Sequence, residues 1–213
     1  MTTGTSITLL LQASNGVPAL ALGRGDAIIF DSSTVEALAG SRDYRMLLET
    51  GLSEIGAELN DLSLIACDIG PGGLGVTRTA AAFANALGFA LSLPILALPA
   101  FKLLGAEVAG HSNGSAKPVA ILRRAARPHV HFGIYEPDAT GGKLVHYEHC
   151  LEKSALEQIQ NMDDYDLAGN IEVEGHASPV TNMAAMETML KLALAAPTPA
   201  PEARAWPIVE VLE

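Results

Sequence analysis

The stretch LSLIACDIGPGGLGVTRTAAAFANALGFALSLPILAL, Leu62 to Leu98, decides the fold. Leu62–Ile69 is an apolar run of strand length, Gly70–Gly75 spells the glycine loop GPGGLG, Thr77–Leu91 has helix composition, and Pro94–Leu98 is a second short apolar run. Strand, helix and strand follow one another here, and the uncharged stretch Thr79–Phe101 reads as a buried helix followed by a buried strand. Working back from this unit, Ser6–Ala13 and Val17–Leu22 are strands around Asn15-Gly16, the strongest short hairpin signal. Ala27–Phe30 adds a third strand, and Ser41–Leu59 a helix with Leu47, Leu48, Leu52, Ile55 and Leu59 among its apolar residues. The order is βββαβαβ.

Working forward, Pro99–Ala109 has helix composition and Gly110–Lys117 is a small-residue loop that divides the chain. The second half repeats the order in degenerate form. Pro118–Leu122, His129–Glu136 and Lys143–Cys150 are strands, with a Gly141-Gly142 turn between the last two. Leu151–Gln160 is a helix, Tyr165–Ala168 a strand and Thr181–Ala196 a helix, before a proline-rich extended tail. The expected organisation is a first lobe over 1–110, a smaller second lobe over 111–196, and a tail over 197–213. A meander followed by alternating helices and strands, twice over, implies α/β architecture with two mixed sheets and a cleft between them. It is the order of the two-lobed actin-like ATPase (ribonuclease H-like) fold.

Of 213 residues, 49% are hydrophobic and 17% charged, which gives a full core and excludes a disordered chain. The formal charge of −11 repels phosphate and anionic lipid, so nonspecific adhesion to nucleic acid or membrane is not expected. A large core needs no staple, so Cys67 and Cys150 read as reduced thiols. The apolar run Ile7–Leu11 has no basic segment before it and is shorter than a signal-peptide core, which points to a cytoplasmic protein. Thr79–Phe101 contains no charged residue, yet Asn85, Pro94, Pro99 and abundant alanine favour a buried helix and strand over a membrane span.

Several motifs could carry chemistry. Gly70–Gly75 matches G-x-G-x-x-G between a strand and a helix, which puts Gly70, Gly72 and Gly73 at a possible phosphate cradle. No Asp or Glu lies between Asp68 and Glu107 to hold a ribose, so a tight packing turn is an equal reading. Gly110–Gly114 (GHSNG) matches the nucleophile elbow, but a helix leads into it and a strand leads out, the reverse of what a strained Ser112 requires. His129, His131, Glu148 and Cys150 share one sheet face if the hairpin pairs His129 with Cys150; a one-residue shift scatters them. No metal site is drawn from them. Lys117, Arg123, Arg124 and Arg127 form a basic patch suited either to an anion or to nearby carboxylates.

The helix after the glycine loop is apolar or small nearly all round, with Arg78 and Asn85 as its main polar marks. Such a helix requires cover on every side. One face can meet its own sheet, and small residues on the other admit a close helix from this chain or another. Leu48, Leu52, Ile55, Arg78, Ala81, Ala84, Asn85 and Gly88 are the residues expected at a partner interface.

The strand ending in Gly70-Pro71-Gly72, Arg78 with its Ala/Gly/Leu helix, the apolar strand through Pro94 and the helix after it together resemble the TsaB (YeaZ) family, relatives of the glycoprotease-like TsaD proteins. The resemblance is clear over Leu62–Leu104, weaker at the opening hairpin and at Pro207-Ile208. It implies the actin-like fold and a noncatalytic role in making threonylcarbamoyladenosine beside the tRNA anticodon. TsaD then carries the metal and transfer chemistry, TsaE hydrolyses ATP, and the first-lobe helices bind TsaD or, alone, a second copy. It implies no cofactor of its own, leaving ATP or ADP open at a joint interface with TsaD. Contact with tRNA is then indirect, and no membrane is involved. The chain departs from the family where Gly73-Leu74-Gly75-Val76 replaces Ser-Phe-Thr-Gly, and where Gln12-Ala13 replaces Asp-Thr/Ser at the end of the first strand. The competing expectations are a nucleotide-binding enzyme using Gly70–Gly75, and a paralogue that scaffolds another complex.

Overall fold

The computed structural model describes residues 6–111, 117–138, 142–176, 178–200 and 202–208. Two compact units emerge.

The first unit takes the chain up to Leu98 and recovers Ala185–Ile208. Its sheet has the strand order β3-β2-β1-β4-β5, with β1 Ile7–Gln12, β2 Ala19–Arg24, β3 Ala27–Asp31, β4 Leu62–Asp68 and β5 Ile95–Leu98. β1 pairs antiparallel with β2 and parallel with β4, and β4 is parallel with β5. All six residues of β1 are buried, the consequence of a central strand covered on both faces. Ile7, Leu9 and Leu11 join one core with Leu20 and Leu22 of β2, Leu47, Leu48 and Leu52 of helix α1 (Tyr44–Glu54) and Ala80, Ala81 and Ala84 of helix α2 (Leu74–Leu91). Helix α5 (Met186–Ala195) packs on β1, β3 and β4 through Met186, Met189, Leu190 and Ala193.

Local chemistry sets the helix bounds. Asp43 caps α1 by accepting from Met46 N–H at 3.0 Å, so the helix starts at Tyr44 rather than Ser41. It ends at Glu54, before the expected Leu59, where Ala57 N–H turns back to Leu52 C=O at 2.9 Å. α2 begins at Leu74 because Thr77 N–H and Oγ1 both donate to Gly73 C=O, each at 3.0 Å. At 18 residues α2 is long and apolar enough to cross a membrane, yet it follows a strand paired in a sheet and packs on β1, β4 and β5.

The second unit covers Pro99–Ala184. Its sheet has the order β8-β7-β6-β9, with β6 Val119–Arg124, β7 His129–Glu136, β8 Lys143–Leu151 and β9 Asp166–Gly169. Helix α3 (Ala100–His111) covers one face through Phe101, Leu104 and Val108, and helix α4 (Glu152–Gln160) covers the other through Ala155 and Ile159. The division therefore falls at Leu98/Pro99, ahead of the expected 110/111, because the apolar stripe of α3 belongs to the second sheet. The other difference is at the C-terminal helix, which joins the first unit and is shorter than Thr181–Ala196. Val180 N–H and Thr181 C=O bond to β9 instead, to Leu167 C=O and Gly169 N–H at 2.8 Å each. The Ser112 motif lies outside the described residues.

Candidate functional site

β4 ends in Asp68, which is wholly buried. Its Oδ2 accepts from Ser14 N–H at 2.9 Å and Ala13 N–H at 3.3 Å, and its Oδ1 from Gly70 N–H at 2.9 Å. Gly73 N–H donates to Ser14 C=O at 3.0 Å. The hairpin turn after β1 and the glycine loop after β4 are thereby laced together. Gly73 is glycine because a Cβ there would stand 3.2 Å from Gly16 Cα, and Gly70 sits at φ +86°, in the left-handed region. Of the three glycines expected at a phosphate cradle, Gly70 and Gly73 thus have their amides engaged inside the chain, and Gly72 is half-buried. The tight packing turn is the reading the geometry favours.

Beside this junction, Tyr44 of α1 stacks on Phe83 of α2, with ring centroids 5.5 Å apart and planes at 23°. Burial pushes the pKa of the Tyr44 hydroxyl well above its ordinary value, reinforced by Cys67 and Asp68 nearby. Burial does the same to the Cys67 thiol, with Asp68 adding to it. Gln12, where the family's Asp was expected, is buried.

The residues expected at a partner surface separate into two sets. Leu48, Leu52, Ala81, Ala84 and Gly88 are buried in the unit's own core, which corrects their assignment to an interface. The physical reason is spacing: a Cβ on Gly88 would lie 2.7 Å from Ile95 Cδ1, so the small side chains bring α2 close to its own sheet. Ile55 is half-buried and Arg78 exposed. Asn85 has a different role altogether. Its Nδ2 donates to Ala205 C=O and its Oδ1 accepts from Ala205 N–H, both at 2.9 Å, so it clamps the C-terminal strap to α2. Ile208 N–H fixes the far end of the strap on Ile69 C=O at 2.8 Å.

What α2 turns outward is Arg78, Thr79, Ala82, Ala86, Phe89 and Ala90, a stripe at helical spacing. Phe89 is 77% exposed, and Trp206 on the strap is 74% exposed. Composition showed that α2 needed two covers, but not which small residues faced which. Asp68 was equally hidden, since two of its three partners, Ala13 and Ser14, lie more than fifty residues away.

In the second unit the β7–β8 register decides the His/Cys question. Near the turn Tyr135 pairs with Leu144 and Glu136 with Lys143, in the expected register, but a bulge between Ile134 and Tyr135 shifts everything beyond by one residue. His129 faces Leu151 and His131 faces His149, while Glu148 and Cys150 pair with Phe132 and Val130 on the other face. The set is scattered, and no group of three metal-ligating side chains converges among the described residues. On one face His129, His149, His131 and Tyr147 form a chain of rings, and Tyr147 OH lies 3.0 Å from His131 Nδ1. The basic patch also disperses. Lys117 pairs with Asp164 at 2.8 Å, buried Arg123 donates to Asn182 C=O at 2.7 Å, and Arg124 and Arg127 are exposed.

Two units, each a meander followed by alternating helices and strands around a mixed sheet, define an actin-like, ribonuclease H-like protein. Solved structures agree. YeaZ from Pseudomonas aeruginosa superposes with a TM-score of 0.73 over 96% of this chain and 100% of that one, at 23% identity. A protein described as uncharacterized, with similarity to peptidase YEAZ from Pseudomonas aeruginosa, gives 0.72 over 96% and 99%, at 25% identity. The profile of TsaD, tRNA N6-adenosine threonylcarbamoyltransferase, matches residues 41–187, and the chain belongs to that family. No curated protein matches it. Family and fold together support a TsaB-like part in threonylcarbamoyladenosine synthesis.

Proposed function

We propose that the protein is a noncatalytic, TsaB-like subunit of the threonylcarbamoyladenosine machinery, and that it docks a TsaD-like partner on the outward face of α2. The observation that carries this reading is the uncovered stripe Ala82, Ala86, Phe89 and Ala90, in a helix with no charge beyond Arg78. Covering an exposed Phe side chain is worth about 1.5–3 kcal/mol, and alanines beside it admit a second helix at close range. The carboxylate at the end of β4 supports the noncatalytic part, because it is already engaged by three backbone amides.

On this reading the chain needs no cofactor of its own. ATP or ADP binds at a joint interface with the TsaD-like partner, TsaE joins the assembly, and tRNA is met through the partner. Alone, the same face pairs two copies, and the setting is the cytoplasm. The test is co-purification of the full chain with the TsaD-like protein. Ala82→Glu and Phe89→Glu are expected to fold normally and lose the partner, whereas Ala84→Glu, which buries a charge in the core, is expected to unfold the first unit. Deleting the gene should deplete threonylcarbamoyladenosine from tRNA, restored by the wild-type chain and not by Phe89→Glu. Undiminished association in both surface variants rejects the α2 face.

A further inference from the structure

We infer that the loops ending β1 and β4 form a small anion seat whose resident ligand is the chain's own Asp68 carboxylate. Backbone N–H groups converging on one point make a concavity for negative charge, and loops that bind phosphate exploit it. Here the convergent donors come from two separate segments, Ala13 and Ser14 from the hairpin and Gly70 from the glycine loop. The two oxygens divide them: Oδ2 takes the hairpin pair and Oδ1 the loop amide. A planar two-oxygen ligand therefore bridges the segments. Asp68 is wholly buried, so this ligand is held out of reach of exchange with solvent anions. The Gly73–Ser14 bond closes the junction further.

Two consequences follow. The Ser14 and Gly70 amides are unavailable to a phosphate, so the glycine loop refuses inorganic phosphate and nucleoside diphosphates despite its spelling. Conversely, deleting the Asp68 side chain opens a seat of carboxylate size. The ligand class it takes is a small monocarboxylate, and acetate supplies the same atoms that Asp68→Gly removes, a methyl carbon in place of Cβ and two oxygens. The inference stands apart from the docking reading, since it concerns only the junction of the two loops.

The test uses the full chain. Asp68→Gly leaves three N–H groups without their acceptor, and its melting temperature is expected to fall by roughly 5–10 °C. Acetate should recover at least half of that loss, saturably, while moving the wild type by about 1 °C or less at matched ionic strength in chloride. Amide exchange at Ser14 and Gly70 should be slow in the wild type, fast in Asp68→Gly and slowed again by acetate. Titration of the wild type with inorganic phosphate or ADP should leave both amides unmoved. An equal response of wild type and variant to acetate overturns the inference, as does a saturable shift of the Ser14 and Gly70 resonances with phosphate. If Asp68→Gly does not fold, Asp68→Asn decides. It keeps one acceptor oxygen and turns an NH2 toward the other donors, so exchange must quicken at Ser14 or at Gly70; unchanged protection at both overturns the proposal.

Discussion

The two sheets start alike and part company after the fourth strand in each unit. In the first, β4 runs through a laced glycine loop into α2, an 18-residue helix with one face on its sheet and the other outward. In the second, β9 leads into a coil, with no helix among the described residues before Met186, and Ile171 and Val173 of that coil join the core with Leu122, Val130 and Phe132. The same meander is thus continued in two different ways, by a helical crossover to β5 in the first unit and by a packed coil after the last strand in the second. Only the full helix leaves a second apolar face to be covered, which is why docking is assigned to the first unit. The coil of the second unit buries its apolar residues internally.

The sharpest way to break this comparison is where the chain leaves β9 and where it enters α2. Gly169, the last residue of β9, has φ +110°, and a Cβ there would press directly on the Leu122 carbonyl group. Gly169→Ala is expected to destabilise the second unit by more than about 3 kcal/mol, since both the backbone conformation and the space refuse it. Gly75, in the first turn of α2, is exposed with nothing within 4 Å of an added Cβ. Gly75→Ala should stabilise by about 0.4–1 kcal/mol through the unfolded chain. Urea unfolding of the two variants measures both. Similar effects in each would mean that the two connections are not built differently after all.

The order of elements along the chain, both meanders and the helix after the glycine loop were legible because each rests on local pattern, and the structure reproduces them within a few residues. Three features were not. The hairpin between Glu136 and Lys143 does have the expected register at its turn, but one bulge residue transfers Glu148 and Cys150 to the opposite face, and nothing in a strand's alternation announces a bulge. The inward set on α2, Ala81, Ala84 and Gly88, is chemically the same as the outward Ala82, Ala86 and Ala90; which side meets the sheet depends on where the helix begins. Asp68 and Asn85 act on partners 54 and 120 residues away, at distances no local window spans.

Asn85 gives the next largest effect, confined to the first unit. Its side chain copies a backbone pair, donating and accepting on Ala205, which is fully buried. Asn85→Ala leaves an N–H and a C=O there without partners, a local penalty of about 1–3 kcal/mol. The strap should then lift while the sheet stays folded. Amide exchange at Ala205 and Ile208 should accelerate, and trypsin should cut sooner after Arg204. Unchanged cleavage would show that Ile208 alone holds the strap, and that the outer surface of α2 is independent of it.

The smallest effect is in the second unit, where Glu148, Cys150 and His146 share the face covered by α4. Burial by itself would lift the Glu148 carboxyl, but hydrogen bonding to Gln158 and Cys150, with His146 Nε2 at 3.5 Å, holds it below its usual range. A carboxyl lowered in the folded state favours folding above the unfolded value of about 4.3, and that contribution disappears as pH falls through the folded value. Its side chain is 33% exposed, so solvent screens much of the effect. Glu148→Gln should therefore melt almost as the wild type does at pH 7 and lose less between about pH 5 and 3, where the wild type gives up this contribution. The thiol beside it provides a second measure. Cys150 is pushed up to about 12 by burial first, then by the Glu148 charge and hydrogen bond, so it should alkylate slowly at pH 8. Removing the charge relieves part of that, and Glu148→Gln should react faster with iodoacetamide while buried Cys67 in the first unit stays inert. Equal reactivity of Cys150 in both proteins would mean that burial alone governs it, and that Glu148, two residues away on the same face of β8, has no electrostatic effect on it.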